Sequence, residues 1–518
     1  MADIRWLLRR VILTVAALAS PAHATAEERP NILLCIADDW GWPDAGAYGE
    51  AAVHTPAFDR VAREGVLFAN AFATSPSCTP SRNSILTGQW HWRLGAGANL
   101  WSSLAPHHPV YPLLLEDAGY RIGHSKKAWG PGDWRALGRS RPPAGPEEPG
   151  GFAAFLACQP AGQPFCFWLG SHDPHRPYAR GSGRAEGIDP ARLRVPPDLP
   201  DCEVIRDDLA DYLLEVQRFD ADVAAALVAL DKAGLADNTI VLITGDHGMP
   251  FPRHKCHLYD SGTHVPLVIR WPRIVEAGRP SADFVSLADL APTFLEAAGL
   301  TVPEEMTGRS LMPVLAAAGS GQIDPARDHV LTGRERHTPA QEAPSLAGYP
   351  MRAIRTAEWL YIRNLDPDRW PSGCPEGSTK GWPFADCDAG PTKQFLTDQR
   401  DDPTIRHFYE LAFAKRPAEE LYDLLADPGQ LRNVAIDPTH AAVKAELAQQ
   451  LESELAASGD PRMAGRGQEF EAHPYLGEMT GSRRIDKPAT AKPTTTRKVI
   501  DGSGTAATLP ATVGAAGK

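Results

Sequence analysis

Residues 31–39 read NILLCIADD, and residues 239–247 read TIVLITGDH. Each is an unbroken apolar run that stops at an acid, the pattern of a central parallel strand buried on both faces and ending at a loop. Phe165 to Gly170 (FCFWLG) repeats the signature. Thr55-Pro56 supplies a cap residue and a proline at the first helical position, and Phe58, Val61 and Ala62 then share one face before Gly65. Gly65 to Phe72 reads as a second strand, Pro80 to Leu86 as a short helix, Tyr120 to Gly123 as a strand start and Asp207 to Lys232 as a long helix. Strands alternating with helices predict an α/β sheet covered on both faces.

Later the pattern changes. Met351 to Asn364 and Leu421 to Leu425 are strand-like pieces bounded by turns, and Ala441 to Ala457 is an Ala/Leu/Glu-rich helix. These predict a main domain over 30–345 and a smaller C-terminal α+β domain over 346–465. Residues 466–518 are expected to be a tail; beyond Arg483 it is rich in Thr, Ala, Pro, Gly and Lys without apolar periodicity and reads as disordered. At the other end, Arg5, Arg9 and Arg10 precede the apolar run Val11 to Ala19, and Ala22-His23-Ala24 is a small-x-small cleavage pattern. Residues 1–24 are therefore expected to be a cleaved leader, and the mature chain periplasmic or secreted. The run is shorter than the roughly 20 residues that a stable membrane span needs.

The chain has 518 residues, 43% hydrophobic and 22% charged, as folded globular proteins do. Its 52 basic and 64 acidic residues leave a formal charge of −12, which argues against a general nucleic-acid binder. Eight cysteines in an exported chain invite disulfides. Cys35 lies within an apolar run and reads as a small buried hydrophobe. Cys158 with Cys166, and Cys374 with Cys387, are close enough for small loops, but spacing does not choose the pairing.

In parallel sheets, ligands gather beyond the carboxyl ends of the strands, so the two strand tips bring Asp38, Asp39, Asp246 and His247 toward one cleft. Clustered carboxylates repel, and a divalent cation is the simplest neutraliser. Mostly oxygen ligands favour Ca²⁺ or Mg²⁺, and the imidazole leaves Mn²⁺ or Zn²⁺ open. Between the tips lies Cys78-Thr79-Pro80-Ser81-Arg82. A cysteine and a proline at a helix start need no function, but a nucleophile there meets free N–H groups and the positive end of the helix dipole. That setting suits an anionic substrate.

Together these segments resemble the sulfatases of the alkaline phosphatase superfamily, from about Pro30 to Ala435. CTPSR fits the C-x-P-S-R signature, and IADDWGWPDAGAYG (36–49), HTPAFDRVAREGVLFANAF (54–72), SRNSILTG (81–88) and ITGDHG (243–248) follow the family's block order. The resemblance implies an alkaline-phosphatase-like fold: a large mixed, mostly parallel sheet sandwiched by helices. It also implies that a formylglycine-generating enzyme oxidises Cys78 to Cα-formylglycine. Asp38, Asp39, Asp246, His247 and an oxygen of residue 78 would bind one divalent cation, Ca²⁺ first, with Mg²⁺ or Mn²⁺ as alternatives. Arg82 would orient the formylglycine hydrate, Lys126 and Lys255 would grip the sulfate, and His172 would protonate the leaving atom. Ala128 stands where the family has a histidine, with His124, His91 and the region of Trp129 the nearby alternatives.

Within the family the likeness is to the N-sulfoglucosamine sulfohydrolases, or sulfamidases. It rests on Lys126 to Pro131, HDPHR (172–176), GMPFP (248–252), YPMR (349–352), RNL (363–365) and ELYDLLADP (420–428). This implies a sulfated-carbohydrate substrate, with His175 and Arg352 as substrate contacts and His337 nearby. Two other functions fit the same blocks: a phosphomonoester or phosphonate hydrolase, and a sugar-sulfate binder without turnover.

Overall fold

Every residue of Asn31–Ala37 is buried, and this run forms β1 in the middle of a seven-stranded sheet. The computed structural model describes residues 29–479; the expected leader, and the tail from residue 480 on, lie outside the described residues. The other strands are β2 (Val66–Phe72), β3 (Arg121–Ser125), β4 (Phe165–Gly170), β5 (Thr239–Gly245), β6 (Leu267–Arg270) and β7 (Arg279–Ser286). Their order is β3-β4-β1-β5-β6-β2-β7, and only β6 runs antiparallel to its neighbours.

Alternation along β1 explains its unbroken apolar sequence. Leu33, Cys35 and Ala37 face one layer, with Phe219, Val223 and Leu227 of the long helix Glu203–Lys232. Ile32, Leu34 and Ile36 face the other, with Ile85 and Leu86 of helix Cys78–Thr87 and Phe294 of helix Leu290–Ala297. Each such aliphatic side chain contributes about 1.5–3 kcal/mol when fully buried. A strand covered on both sides therefore has little room for a polar residue until it leaves the sheet.

Register then positions the site. Ala37 pairs with Gly245 in the β1–β5 ladder, and the Asp246 amide donates to the Ala37 carbonyl at 3.2 Å. The first acids beyond both strands thus emerge side by side. The β4 tip joins them, because the Ser171 amide donates to Ile36 and the Asp38 amide to Asp173. Gly170 ends β4 under the backbone of residue 127: a Cβ there would sit 1.8 Å from the Lys127 carbonyl oxygen, so only glycine permits the approach.

A second, four-stranded antiparallel sheet has the order β11-β10-β9-β8, from β8 (His329–Arg334), β9 (Met351–Thr356), β10 (Trp359–Asn364) and β11 (Glu419–Asp423). Because β8 belongs to it, this sheet begins upstream of residue 346, and the division expected there falls inside the β8–β9 connection. Helix Ala441–Ala457 packs Leu447, Leu451 and Leu455 against Ile354 and Leu421 of the small sheet. All eight cysteines are free thiols, so neither Cys158–Cys166 nor Cys374–Cys387 forms; Cys158 is exposed while Cys166 is buried in β4. No helix among the described residues is long and apolar enough to cross a membrane.

Candidate active site

Helix Cys78–Thr87 begins two residues before Pro80 and is buried along its whole length, so its polar side chains must find partners inside the protein. They find the strand tips. Ser81 Oγ donates to the Asp246 carbonyl at 2.6 Å. Arg82 Nε donates to Asp246 Oδ2 at 2.8 Å, and its Nη2 lies 3.6 Å from Asp38 Oδ1. Its Nη1 donates to the carbonyls of Lys127 and Ala128, both at 3.0 Å. One guanidinium therefore ties the nucleophile helix to β1, β5 and the loop after β3.

This anchoring brings Cys78 to the acids. Its Sγ lies 3.2 Å from His247 Nε2, which is itself 3.2 Å from Asp39 Oδ1. Cys78 joins two triads, Asp39–Cys78–His247 and Asp38–Cys78–Asp246, each with ligand-type atoms within 4.8 Å of one another. The five residues expected to bind a cation thus converge on one point. Two details fit a cation there. Asp39 Oδ1 is buried with no hydrogen-bond partner. His247 Nδ1 faces the Gly248 carbonyl at 3.1 Å, which can only accept, so Nδ1 is the donor there and Nε2 is the ring nitrogen that faces the cleft.

The charges are tightly matched. Burial alone would raise the Asp38 carboxyl, but Lys127, His175, Arg82 and Lys255 together hold it well below the usual carboxylate range. Asp246 is likewise lowered against its burial, by His247 and Arg82. Burial opposes the Lys255 charge, yet Asp388 and Asp39 raise that ammonium well above its ordinary range. Burial pushes the Cys78 thiol up, so as a bare thiol it is protonated and weakly nucleophilic.

Lys126 is not in the cleft. Its backbone is left-handed (φ 53°) and its side chain, 45% exposed, pairs outward with Asp222. The neighbouring Lys127 turns inward instead and reaches Asp38 Oδ1 at 2.5 Å. Arg352 is also misplaced by the sequence pattern. It lies in β9, fully buried, with its guanidinium on Glu335 and Asp460, each at 2.7 Å, and near the Trp92 ring. No face of it is left for a substrate.

Lys255 does face the cleft, with Nζ 2.9 Å from Asp39 Oδ2. His175 Nε2 lies 3.8 Å from the same oxygen. His172 is exposed on the β4 tip, where Asp38, Lys127 and Arg82 act on its charge. His337 Nδ1 meets Ser77 Oγ at 2.9 Å, beside the nucleophile. Each alternative to the family histidine at 128 is held by other partners: His124 Nδ1 bonds the Gly145 carbonyl, buried His91 packs on Trp92, and the Trp129 indole donates to Asn83 Oδ1 at 2.7 Å. Lys127 and Asp388 were not singled out by sequence. A lysine pair carries no mark of which member points inward, and Asp388 lies in a coil without a motif.

A profile of the sulfatase family matches residues 30–133 and 151–300. Human N-sulphoglucosamine sulphohydrolase is 31% identical over 492 residues, spanning 83% of this chain and 91% of that protein. The chain belongs to the sulfatase family. Sulfuric ester hydrolysis is the chemistry of that family. An ulvan-active sulfatase of Formosa agariphila is 28% identical across 84% of this sulfatase and 81% of its own length. The fold also matches two solved structures. One holds D-glucosamine-2-N,6-O-disulfate, with TM-score 0.58 and 22% identity over 83% of this chain and 98% of that one. The other is a phosphonate monoester hydrolase from Silicibacter pomeroyi, with TM-score 0.62 and 20% identity over 83% and 96%.

Three substitutions test the corrected placements. Lys127→Ala is expected to lower kcat/KM by about a hundredfold to a thousandfold, as loss of a preorganised charged donor does. Lys126→Ala, an exposed pair, should change it by no more than about twofold. Steady-state kinetics with an aryl sulfate decides between them. Arg352→Ala takes from buried Asp460 its only side-chain cation among the described residues, while Glu335 keeps Arg462, and should cost about 3–5 kcal/mol in denaturant unfolding, with KM of the folded enzyme unchanged.

Proposed function

We propose that this sulfatase is an exported hydrolase of carbohydrate sulfate esters or sulfamates, closest in substrate to the sulfamidases, with residue 78 matured to Cα-formylglycine as its nucleophile. The observation that carries this reading is the convergence of Cys78 with Asp38, Asp39, Asp246 and His247, in a cleft where a buried Asp39 oxygen accepts no hydrogen bond. The peripheral blocks that resemble those of the sulfamidases, and 31% identity to the human sulfohydrolase, support a glucosamine-type N-sulfate. The leader-like residues 1–24 support export.

Asp38, Asp39, Asp246 and His247, with the side chain of residue 78, would hold one divalent cation. The mostly oxygen donor set favours Ca²⁺ or Mg²⁺. That cation supplies Lewis-acid charge against an anionic group in the cleft. Hydrated formylglycine supplies two hydroxyls on one carbon, one to take the sulfuryl group and one whose collapse releases it. A thiol offers only a single heteroatom.

The chain's own groups do the rest. Arg82, held by Asp246, fixes the helix start and keeps positive charge beside residue 78. Lys127 and Lys255 approach from opposite carboxylates, Asp38 and Asp39, and offer ammonium N–H groups to the sulfuryl oxygens. His172, on the exposed side of the cleft, donates a proton to the departing oxygen or nitrogen.

Intact mass of the peptide containing Cys78, from protein made in its native host, tests the maturation directly. Formylglycine is lighter than cysteine, and an unmodified thiol would reject it. Paired assays with the sulfate and phosphate esters of one phenol then separate the sulfatase from a phosphate or phosphonate hydrolase: sulfate should be preferred.

A pH profile tests His172. Burial lowers its pKa below the ordinary 6.5, with Lys127 and Arg82 adding to the fall and Asp38 opposing it. The proton-bearing form is thus present at low pH and lost as pH rises through a midpoint below 6.5. kcat/KM should decline along that limb. His172→Ala should remove the limb and cost about a hundredfold or more on a poor leaving group, with a much smaller loss on an activated aryl sulfate.

A further inference from the structure

Lys255 is only 4% exposed, and two carboxylates meet its ammonium: Asp39 Oδ2 and Asp388 Oδ2, each 2.9 Å from Nζ. Asp39 has a second role, since its other oxygen turns toward His247 and the point where the carboxylates converge. A cation bound there would draw on the Asp39 charge and repel the lysine beside it. Asp388 belongs to neither metal-type triad around Cys78. It does form a third group, with Asp39 and His175, but the Lys255 ammonium already bonds both carboxylates of that group.

The coil that carries Asp388 is firmly built. Lys393 Nζ donates to the carbonyls of Pro383, Phe384 and Cys387, at 3.1, 2.8 and 2.8 Å. Asp386, two residues before Asp388, pairs with buried Arg334 and accepts from the amide and hydroxyl of Thr338, both at 2.8 Å. Phe384 stacks on Phe413 with ring centroids 4.4 Å apart. Two cations and an aromatic stack thus fix a segment without regular secondary structure, and its last acid projects onto Lys255. Asp388 remains 28% exposed, on the open side of the bridge.

We propose that Asp388 is a positioning residue: its carboxylate holds the Lys255 ammonium at the cleft when Asp39 turns to the cation, leaving the remaining N–H of Lys255 for the anionic group of the substrate. This rests on the proposed function for the role of Lys255 and adds the group that sets it in place. Asp388 itself need touch neither substrate nor cation.

A double-mutant cycle over Asp388→Ala, Lys255→Ala and the double variant tests it in the matured, cation-loaded enzyme. Two readouts are used: kcat/KM on an aryl sulfate, and the calorimetric affinity for inorganic sulfate, which needs no turnover. Asp388→Ala should lower kcat/KM about tenfold to a hundredfold and weaken sulfate binding about tenfold, as misplacing one charged donor does. The double variant should match Lys255→Ala within about twofold, because the two side chains act as one unit. Asp388→Glu should recover part of the loss. Losses that multiply, or an Asp388→Ala enzyme with wild-type sulfate affinity, overturn the proposal, whatever happens to its melting temperature. An enzyme that binds sulfate by this pattern but hydrolyses no sulfate ester refutes the catalytic reading alone and upholds the positioning role. If Lys255→Ala leaves sulfate affinity unchanged, both fall.

Discussion

Three carboxylates on two adjoining strand tips repel one another, and the rest of the cleft is arranged around that repulsion. At an effective dielectric near 20, two like charges about 4 Å apart cost about 4 kcal/mol. Asp38, Asp39 and Asp246 are each almost completely buried, so solvent relieves little of this. Arg82, Lys127 and Lys255 each pair with one or two of them. These ion pairs determine which elements can approach the tips: the helix that starts at Cys78, the loop after β3 and the segment after β5.

The same requirement accounts for the unusual helix Cys78–Thr87. A buried helix is normally apolar all round, but this one carries Ser81, Arg82, Asn83 and Ser84 in the interior. It holds its place because the polar side chains bond to strand tips and loop carbonyls, while Ile85 and Leu86 pack on the sheet. Packing sets the depth of the helix, and the arginine sets its rotation.

Around the smaller sheet a second charge network has a different purpose. Arg352 and Arg462 meet Glu335 and Asp460 within the protein, and Arg334 meets Asp386. The first group joins β9 to the segment after helix Ala441–Ala457 and stays clear of the cleft. The second holds the coil that delivers Asp388. A buried arginine is therefore a structural tie in one place and a remote support of the site in another.

Local pattern was enough to locate β1 and β5, the acids at their ends and a cysteine before a helix, because each depends on neighbours in the chain: burial on both faces, then the first residues free of the sheet. Block order was enough for the family. Which lysine enters the cleft depends on the left-handed turn at Lys126, and a lysine pair gives no sign of it. The burial of Arg352 depends on acids 17 and 108 residues away, and the placing of Asp388 on a lysine 133 residues away. Such pairings arise from the folded path of the chain, where long-range approach rather than local spacing selects a charged side chain's partner.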